Sequence, residues 1–326
     1  MPAYNRAHLI EQALQSVADQ TYRPIELLVV DDGSTDQTAD VTREWAARAG
    51  DRALDVQILK QANAGNAAAK NTGLRAASGA FIQILDTDDL MFPDKLTVEV
   101  AALKRSGRDY AYSRTRVAHP DGRRTETPHP DSFKPAPIGR FTMYQEAILL
   151  TRRAFETIGL FDATLTRGSD RVMMTRLKAS ALIGVFVDAT HTEHSLHPGA
   201  RMSQVKDTIL SGGTQSPAEY RRLAASREVI NERILEILLE NKHYTPDERR
   251  FLARAWLFCA DTYAAGGDPV GTRRCIQRAW QVASGRAAIL TGLVAVAGRV
   301  LGDRRGLAAA RRLVATVKPR GPRFSG

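Results

Sequence analysis

Ala80-Phe81-Ile82-Gln83-Ile84-Leu85-Asp86-Thr87-Asp88-Asp89 is the stretch on which the fold turns. Six largely apolar residues in a row, too few for a helix, predict a buried strand. The strand stops at an acidic cluster. The same arrangement occurs upstream, where Ile25-Glu26-Leu27-Leu28-Val29-Val30 is halted by Asp31-Asp32-Gly33-Ser34. Helical patterns separate these runs. Residues 6–18 place Leu9, Ile10, Ala13, Leu14 and Val17 on one face, and 36–49 and 66–77 are helical again. A further short strand is expected at 55–59. Strands alternating with helices predict an α/β fold, a mainly parallel sheet with helices on both faces. In such sheets ligands bind beyond the carboxyl ends of the strands, so the two acidic clusters are expected on one rim.

Asp86 and Asp88 lie one residue apart at a strand end. Such a pair can share a hard divalent cation, Mn²⁺ or Mg²⁺. A diphosphate would supply further oxygens, and the cation would neutralise charge as the leaving group departs. Asp-x-Asp alone is also a common solvated turn, and its context decides between the two.

That context is a string of motifs in order: Pro2-Ala3-Tyr4-Asn5-Arg6, Gln20-Thr21-Tyr22, Val30-Asp31-Asp32-Gly33-Ser34-Thr35-Asp36, Asn63-Ala64-Gly65, Lys70-Asn71-Thr72-Gly73, Ala77-Ser78-Gly79, Leu85 to Asp89, and Pro93-Asp94-Lys95-Leu96. The string closely resembles the family-2 glycosyltransferases, which share the GT-A fold, over residues 2–205. The resemblance implies a nucleotide pocket lined by Pro2 and Tyr4, with Tyr4 near the base. It implies that Asp31 or Asp32 bonds the base or ribose, where a carboxylate accepting from an imide N–H would favour uracil or thymine. Asn63, Gly65 and Lys70 should lie along the nucleotide and diphosphate. Asp86 should face the ribose or the metal, and Asp88 should ligate the metal directly. Relatives carry an apolar strand before the Pro-x-Tyr-Asn turn, whereas this sequence enters at the turn. The expectation is a start further upstream or a truncation, and open sheet edges without that strand.

Relatives also carry an acidic pair after an Arg…Gly-x-Phe-Asp segment. Here Arg153 and Gly159-Leu160-Phe161-Asp162 fit, but the pair reads Ser169-Asp170, leaving Asp170 as the candidate general base. Its competing role is a helix N-cap. His191, His194 and His197 follow a strand expected at 183–187. In relatives a histidine near here closes over the donor phosphates or metal, and His197 with Ser203 fits that pattern best. A zinc site of the three histidines, and an exposed loop without a role, are the other readings. No triphosphate-binding loop or dinucleotide fingerprint occurs.

Residues 105–141 are rich in Pro, Gly, His and Arg and read as a strand or two with a long loop. A turn-rich link, 206–216, separates the transferase domain (1–205) from a helical region (217–285). Pro217, Pro246 and Pro269 each stand where a helix should begin, and the last two helices faintly resemble one tetratricopeptide-type hairpin. The formal net charge is +10, yet residues 286–326 alone hold nine Lys/Arg against one Asp. This basic amphipathic tail is expected either to meet an anionic membrane surface or to end as a buried helix with a solvated basic end. It lacks the interleaved aromatics of a nucleic-acid binder. Cys259 and Cys275 have no metal-ligand spacing and read as reduced thiols. No signal peptide or spanning apolar run is visible, so a cytoplasmic, peripheral enzyme is expected.

The leading reading is therefore an inverting, metal-dependent transferase. It would move a sugar from a UDP- or dTDP-sugar to a hydroxyl on a glycan or lipid-linked acceptor, in cell-surface glycan or polysaccharide synthesis. The alternatives are a catalytically weak glycan- or partner-binding module on the same fold and, more distantly, a sugar-phosphate nucleotidyltransferase.

Overall fold

The computed structural model describes residues 1–50, 53–127, 143–196 and 216–283. The described parts of 1–198 form one compact unit and those beyond 199 a second. In the first unit the order is β1 (Pro2–Ala3), α1 (Ile10–Ala18), β2 (Ile25–Asp31), α2 (Thr38–Ala49), β3 (Leu54–Lys60), α3 (Asn66–Ala76), β4 (Phe81–Gln83), β5 (Leu90–Met91) and α4 (Lys95–Ser106). There follow β6 (Tyr110–Ala118), β7 (Arg124–Glu126), a 3₁₀ turn (Gln145–Ala147), β8 (Ile148–Thr151), α5 (Arg152–Ile158), α6 (Ser169–Ala179) and β9 (Gly184–Ser195).

The sheet is in two parts. β1-β2-β3 is parallel throughout, as the alternating pattern predicts. The second part, ordered β4-β8-β6-β9-β5 with β7 on β6, is mixed: β6 and β9 run parallel, while β8 is antiparallel to both its neighbours. Parallel character is thus confined to the first sixty residues and one later pair. β9 extends to Ser195, well past the expected end at 187, and so carries His191 and His194 inside a strand. The long loop expected within 105–141 falls largely on 128–142, outside the described residues.

α1 seats Ile10, Leu14 and Val17 against Leu27 and Val29 of β2 in one apolar cluster, all buried. Truncating a fully buried leucine such as Leu14 costs about 2–5 kcal/mol. A second cluster joins β4 and β8 to α5 and α6 through Ile82, Leu150, Phe155, Ile158, Met173 and Leu177. One buried polar group crosses this interior. Lys95 and Glu99 pair at 2.6 Å on α4, and Glu99 also accepts from Ser113 of β6 at 2.8 Å and meets His191 of β9 at 3.3 Å. β2 and β4 are not hydrogen-bonded to each other. A mainly apolar cavity of about 370 Å³ is lined by residues of both, among them Leu28, Val30, Phe81 and Ile82, together with Met1 and Leu96.

The second unit contains α7 (Pro217–Glu240), α8 (Pro246–Ala265) and α9 (Pro269–Val282). Each begins at its proline behind a side-chain cap: Ser216 with Glu219 in a capping box, Thr245, and Asp268. Trp256, Ile234, Leu238, Cys259 and Cys275 are buried in it. Gly271 lies so close to the Tyr263 ring that a Cβ would stand 2.6 Å from it. No helix among the described residues is long and apolar enough to cross a membrane. The basic tail, 286–326, lies outside the described residues.

Candidate functional site

The turn after β2 is held by its own side chains. Asp32, almost fully buried, accepts from Gln61 Nε2 at 2.7 Å, Ala64 N at 2.9 Å and Gly65 N at 2.8 Å. It thereby fixes the Asn63-Ala64-Gly65 loop that leads into α3. Asp31 accepts only from Ser34 N among its resolved side-chain bonds, at 3.0 Å. Gly33 has φ +73°, and a Cβ there would stand 2.8 Å from Asn63 N, so the two loops touch only because the residue is glycine. The Pro2–Asn5 turn docks on the same loop. Asn5 N donates to Ser34 Oγ at 3.0 Å, and Asn5 Oδ1 accepts from Thr35 N at 2.9 Å. Tyr4 projects from this turn, 45% exposed.

α3 connects this loop to the acidic cluster after β4. Lys70, one turn into the helix and buried, places Nζ 3.0 Å from Asp86 Oδ1 and 2.9 Å from Gln145 Oε1. Gln145 Nε2 donates to Asp86 Oδ2 at 2.7 Å. Burial pushes the Asp86 carboxyl up, but Lys70 together with the N-terminal ammonium and His194 outweighs it and holds the group below the usual carboxylate range. Asp86, half-buried, thus has its Oδ1 facing the Lys70 ammonium and its Oδ2 bonded by Gln145. Asp88 is half-buried beside it. Two half-buried carboxylates one residue apart are hard oxygen donors of the kind a divalent cation takes. The next residue of α3, Asn71, pins the segment that leads to α6: its amide donates to Phe161 O at 2.9 Å and accepts from Phe161 N at 2.8 Å.

Residues 1–161 match the family model described as glycosyl transferase family 2. Residues 1–161 are thus a family-2 glycosyltransferase region. The family-2 region is 37% identical over 112 residues to an Escherichia coli protein, the UDP-Glc:alpha-D-GlcNAc-diphosphoundecaprenol beta-1,3-glucosyltransferase WfgD. That alignment covers 34% of this chain and 42% of the relative. An uncharacterised glycosyltransferase of Rickettsia felis is 28% identical over 161 residues, covering 45% of this chain and 26% of its own. The matched segment thus spans less than half the length of these curated relatives. Among solved structures, Staphylococcus aureus TarS 1-349 with UDP-GlcNAc superposes with a TM-score of 0.56 at 16% identity, covering 98% of this chain and 91% of that one. The Pyrobaculum calidifontis mannosyltransferase PcManGT, with GDP-Man and Mn²⁺, gives 0.52 at 18% identity over 96% and 83%. These likenesses show the GT-A fold.

The remaining predicted positions are less tightly held. Asp170 is exposed in the first turn of α6, which begins at Ser169. The residue capping that helix is Gly168, without a side-chain bond, so Asp170 is not the N-cap. His197 and Ser203 lie outside the described residues. His191 and His194 are not in a loop, and they do not share a site: His191 meets Glu99, while His194 Nδ1 stands 2.9 Å from Asp89 and 3.0 Å from Glu146. Burial, then the charge of Glu146, pushes the Asp89 carboxyl up to about 7. Burial opposes charge on His194, but its two carboxylate partners outweigh this and push it up to about 10. Gln145 and Glu146 were not legible as site residues. The available signal was a glutamate, Glu146, at the brink of the apolar run 147–150, where a lone charge must find a partner.

Proposed function

We propose that this chain is an inverting glycosyltransferase that takes a UDP- or dTDP-sugar and passes the sugar to a hydroxyl of a glycan or lipid-linked acceptor in cell-surface glycan synthesis. The observation that carries it is the role of α3. Its leading loop is fixed by Asp32, its Lys70 holds Asp86, and its Asn71 holds the segment that leads to Asp170. In this reading one helix holds the base end, the diphosphate region and the acceptor side in register.

In this reading Pro2 and Tyr4 border the base, and Asp31 accepts from its imide N–H. Asn63 and Gly65 approach the ribose and diphosphate with backbone groups, and Lys70 adds a fixed positive charge there. Asp86 and Asp88 would hold Mn²⁺ or Mg²⁺, with Asp88 the direct ligand, and His197 would close over the phosphates. Bound there, the cation would neutralise charge on the departing nucleoside diphosphate. Asp170, exposed and free to meet an acceptor, takes the hydroxyl proton as that oxygen attacks the anomeric carbon from the face opposite the leaving group. The names of relatives support the class of donor: WfgD uses UDP-Glc, and TarS has been solved with UDP-GlcNAc. A basic tail that meets an anionic membrane surface from the cytoplasmic side would suit a lipid-linked acceptor.

The test is release of nucleoside diphosphate from a panel of UDP-, dTDP- and GDP-sugars with Mn²⁺, with product anomeric configuration read by NMR. Turnover of a UDP- or dTDP-sugar with inversion is expected. Retention of configuration, or turnover restricted to GDP-sugars, contradicts the reading.

A further inference from the structure

Asp89, Glu146 and His194 come from three separate elements: the turn between β4 and β5, the 3₁₀ turn and the end of β9. Their ligating atoms all lie within 4.8 Å of one another. Asp89 is 0% and Glu146 1% exposed, so neither carboxylate is bathed in solvent. His194 Nδ1 is 2.9 Å from Asp89 Oδ1 and 3.0 Å from Glu146 Oε1. That nitrogen carries at most one proton, which can serve one of the two carboxylates but not both. Asp89 Oδ2 is buried without a hydrogen-bond partner, and Glu146 Oε1 is buried with the shared His194 nitrogen as its contact. Leaving a buried carboxylate oxygen underserved is unfavourable, and more so when it is charged. The neighbouring cation, Lys95, is already engaged by Glu99 at 2.6 Å.

We propose that Asp89, Glu146 and His194 form a buried divalent-cation site separate from the donor-side pair Asp86 and Asp88. Two carboxylate oxygens and one imidazole nitrogen are a donor set suited to Zn²⁺ or Mn²⁺. Bonds of about 2.0–2.2 Å place adjacent ligands about 3.0 Å apart in an octahedral shell and about 3.4 Å apart in a tetrahedral one, and the spacings around His194 Nδ1 are 2.9 and 3.0 Å. Three protein ligands leave positions for water. Tyr144 stacks on the imidazole with ring centroids 4.1 Å apart and fixes its plane. Asp88, by contrast, is only half-buried and next to Asp86, which Lys70 engages. The buried cation would tie the acidic turn to β9 and to the 3₁₀ turn whose Gln145 holds Asp86. It is a structural ion, needs no nucleotide, and stands or falls independently of the donor assignment.

The test counts metal on the full chain, stripped with chelator and then equilibrated with Mn²⁺ or Zn²⁺ without nucleotide. Wild type should keep one equivalent after desalting, Asp88→Ala should keep it too, and Glu146→Gln and His194→Gln should bind at least tenfold more weakly. Pulsed EPR on Mn²⁺-loaded wild type should show one imidazole nitrogen coupled to the ion, a readout that needs no variant to fold. No retained cation and no nitrogen coupling would overturn the proposal, leaving the cluster held by a proton on His194. Loss of the cation in Asp88→Ala with retention in Glu146→Gln would also overturn it.

Discussion

Asp32 and Asp170 are both acids that the sequence marks as functional, and the fold treats them in opposite ways. Asp32 is almost fully buried and accepts three hydrogen bonds from residues 61–65, whereas Asp170 stands exposed on the first turn of α6. The same contrast runs through the two sides of the site. On the proposed donor side three polar groups are clamped: Asn5 by the turn after β2, Lys70 by Asp86 and Gln145, Asn71 by the backbone at Phe161. On the proposed acceptor side a pinned segment leads to an open carboxylate, Asp170. A donor of fixed chemistry rewards preorganisation, since donors aligned in advance need no reorganisation during the reaction. A general base must instead reach a hydroxyl that arrives from solution.

The contrast is most open to attack at Asp170. Asp170→Asn should lower turnover about 10²–10⁴-fold, the usual contribution of a positioned base. Nucleotide affinity and melting temperature should stay at wild-type values, because the residue is exposed. A variant that melts early would place Asp170 in the scaffold. Asp32→Ala should do the reverse. It removes a buried acceptor from three donors and should destabilise the first unit by about 3 kcal/mol, seen as a lower urea midpoint. A wild-type midpoint would mean the loop at 61–65 is held otherwise. Gly33→Ala puts a Cβ 2.8 Å from Asn63 N at a positive φ and should cost about 1–3 kcal/mol, with nucleotide binding weakened in step. Gln145→Leu removes one clamp on Asp86 and Lys70. Its effect should be the smallest, about 1 kcal/mol, read calorimetrically as roughly fivefold weaker nucleotide binding.

The strand ends that carry Asp32 and Asp86 were legible in the sequence because each is a short apolar run halted by acids. The apolar run at 25–30 ends in the carboxylate that serves residues 61–65, and 80–85 ends in the one that Lys70 engages. Helix starts at Pro217, Pro246 and Pro269 were legible for the same local reason: proline is tolerated at a first helical turn and stops whatever precedes it. What was not legible depends on distant pairing. The antiparallel setting of β8 and the continuation of β9 to Ser195 follow from neighbours over thirty residues away. Period and propensity carry no signal for such partners. Glu146 belongs to this class, since its partners are His194, 48 positions on, and, across the same cluster, Asp89, 57 positions back. His191 and His194 looked like loop residues because a strand of threonines, acids and histidines has little of the apolar alternation that marks a half-buried strand.

The central claim is that the clamped side receives a nucleoside diphosphate together with a divalent cation. Its most direct test is calorimetric titration of UDP, dTDP and GDP into the purified chain, with and without Mn²⁺, alongside Asp88→Ala. The account predicts binding of UDP or dTDP that strengthens with Mn²⁺ and is lost in Asp88→Ala. A folded chain that binds none of the three, or binds them equally well with Asp88 replaced, would contradict it.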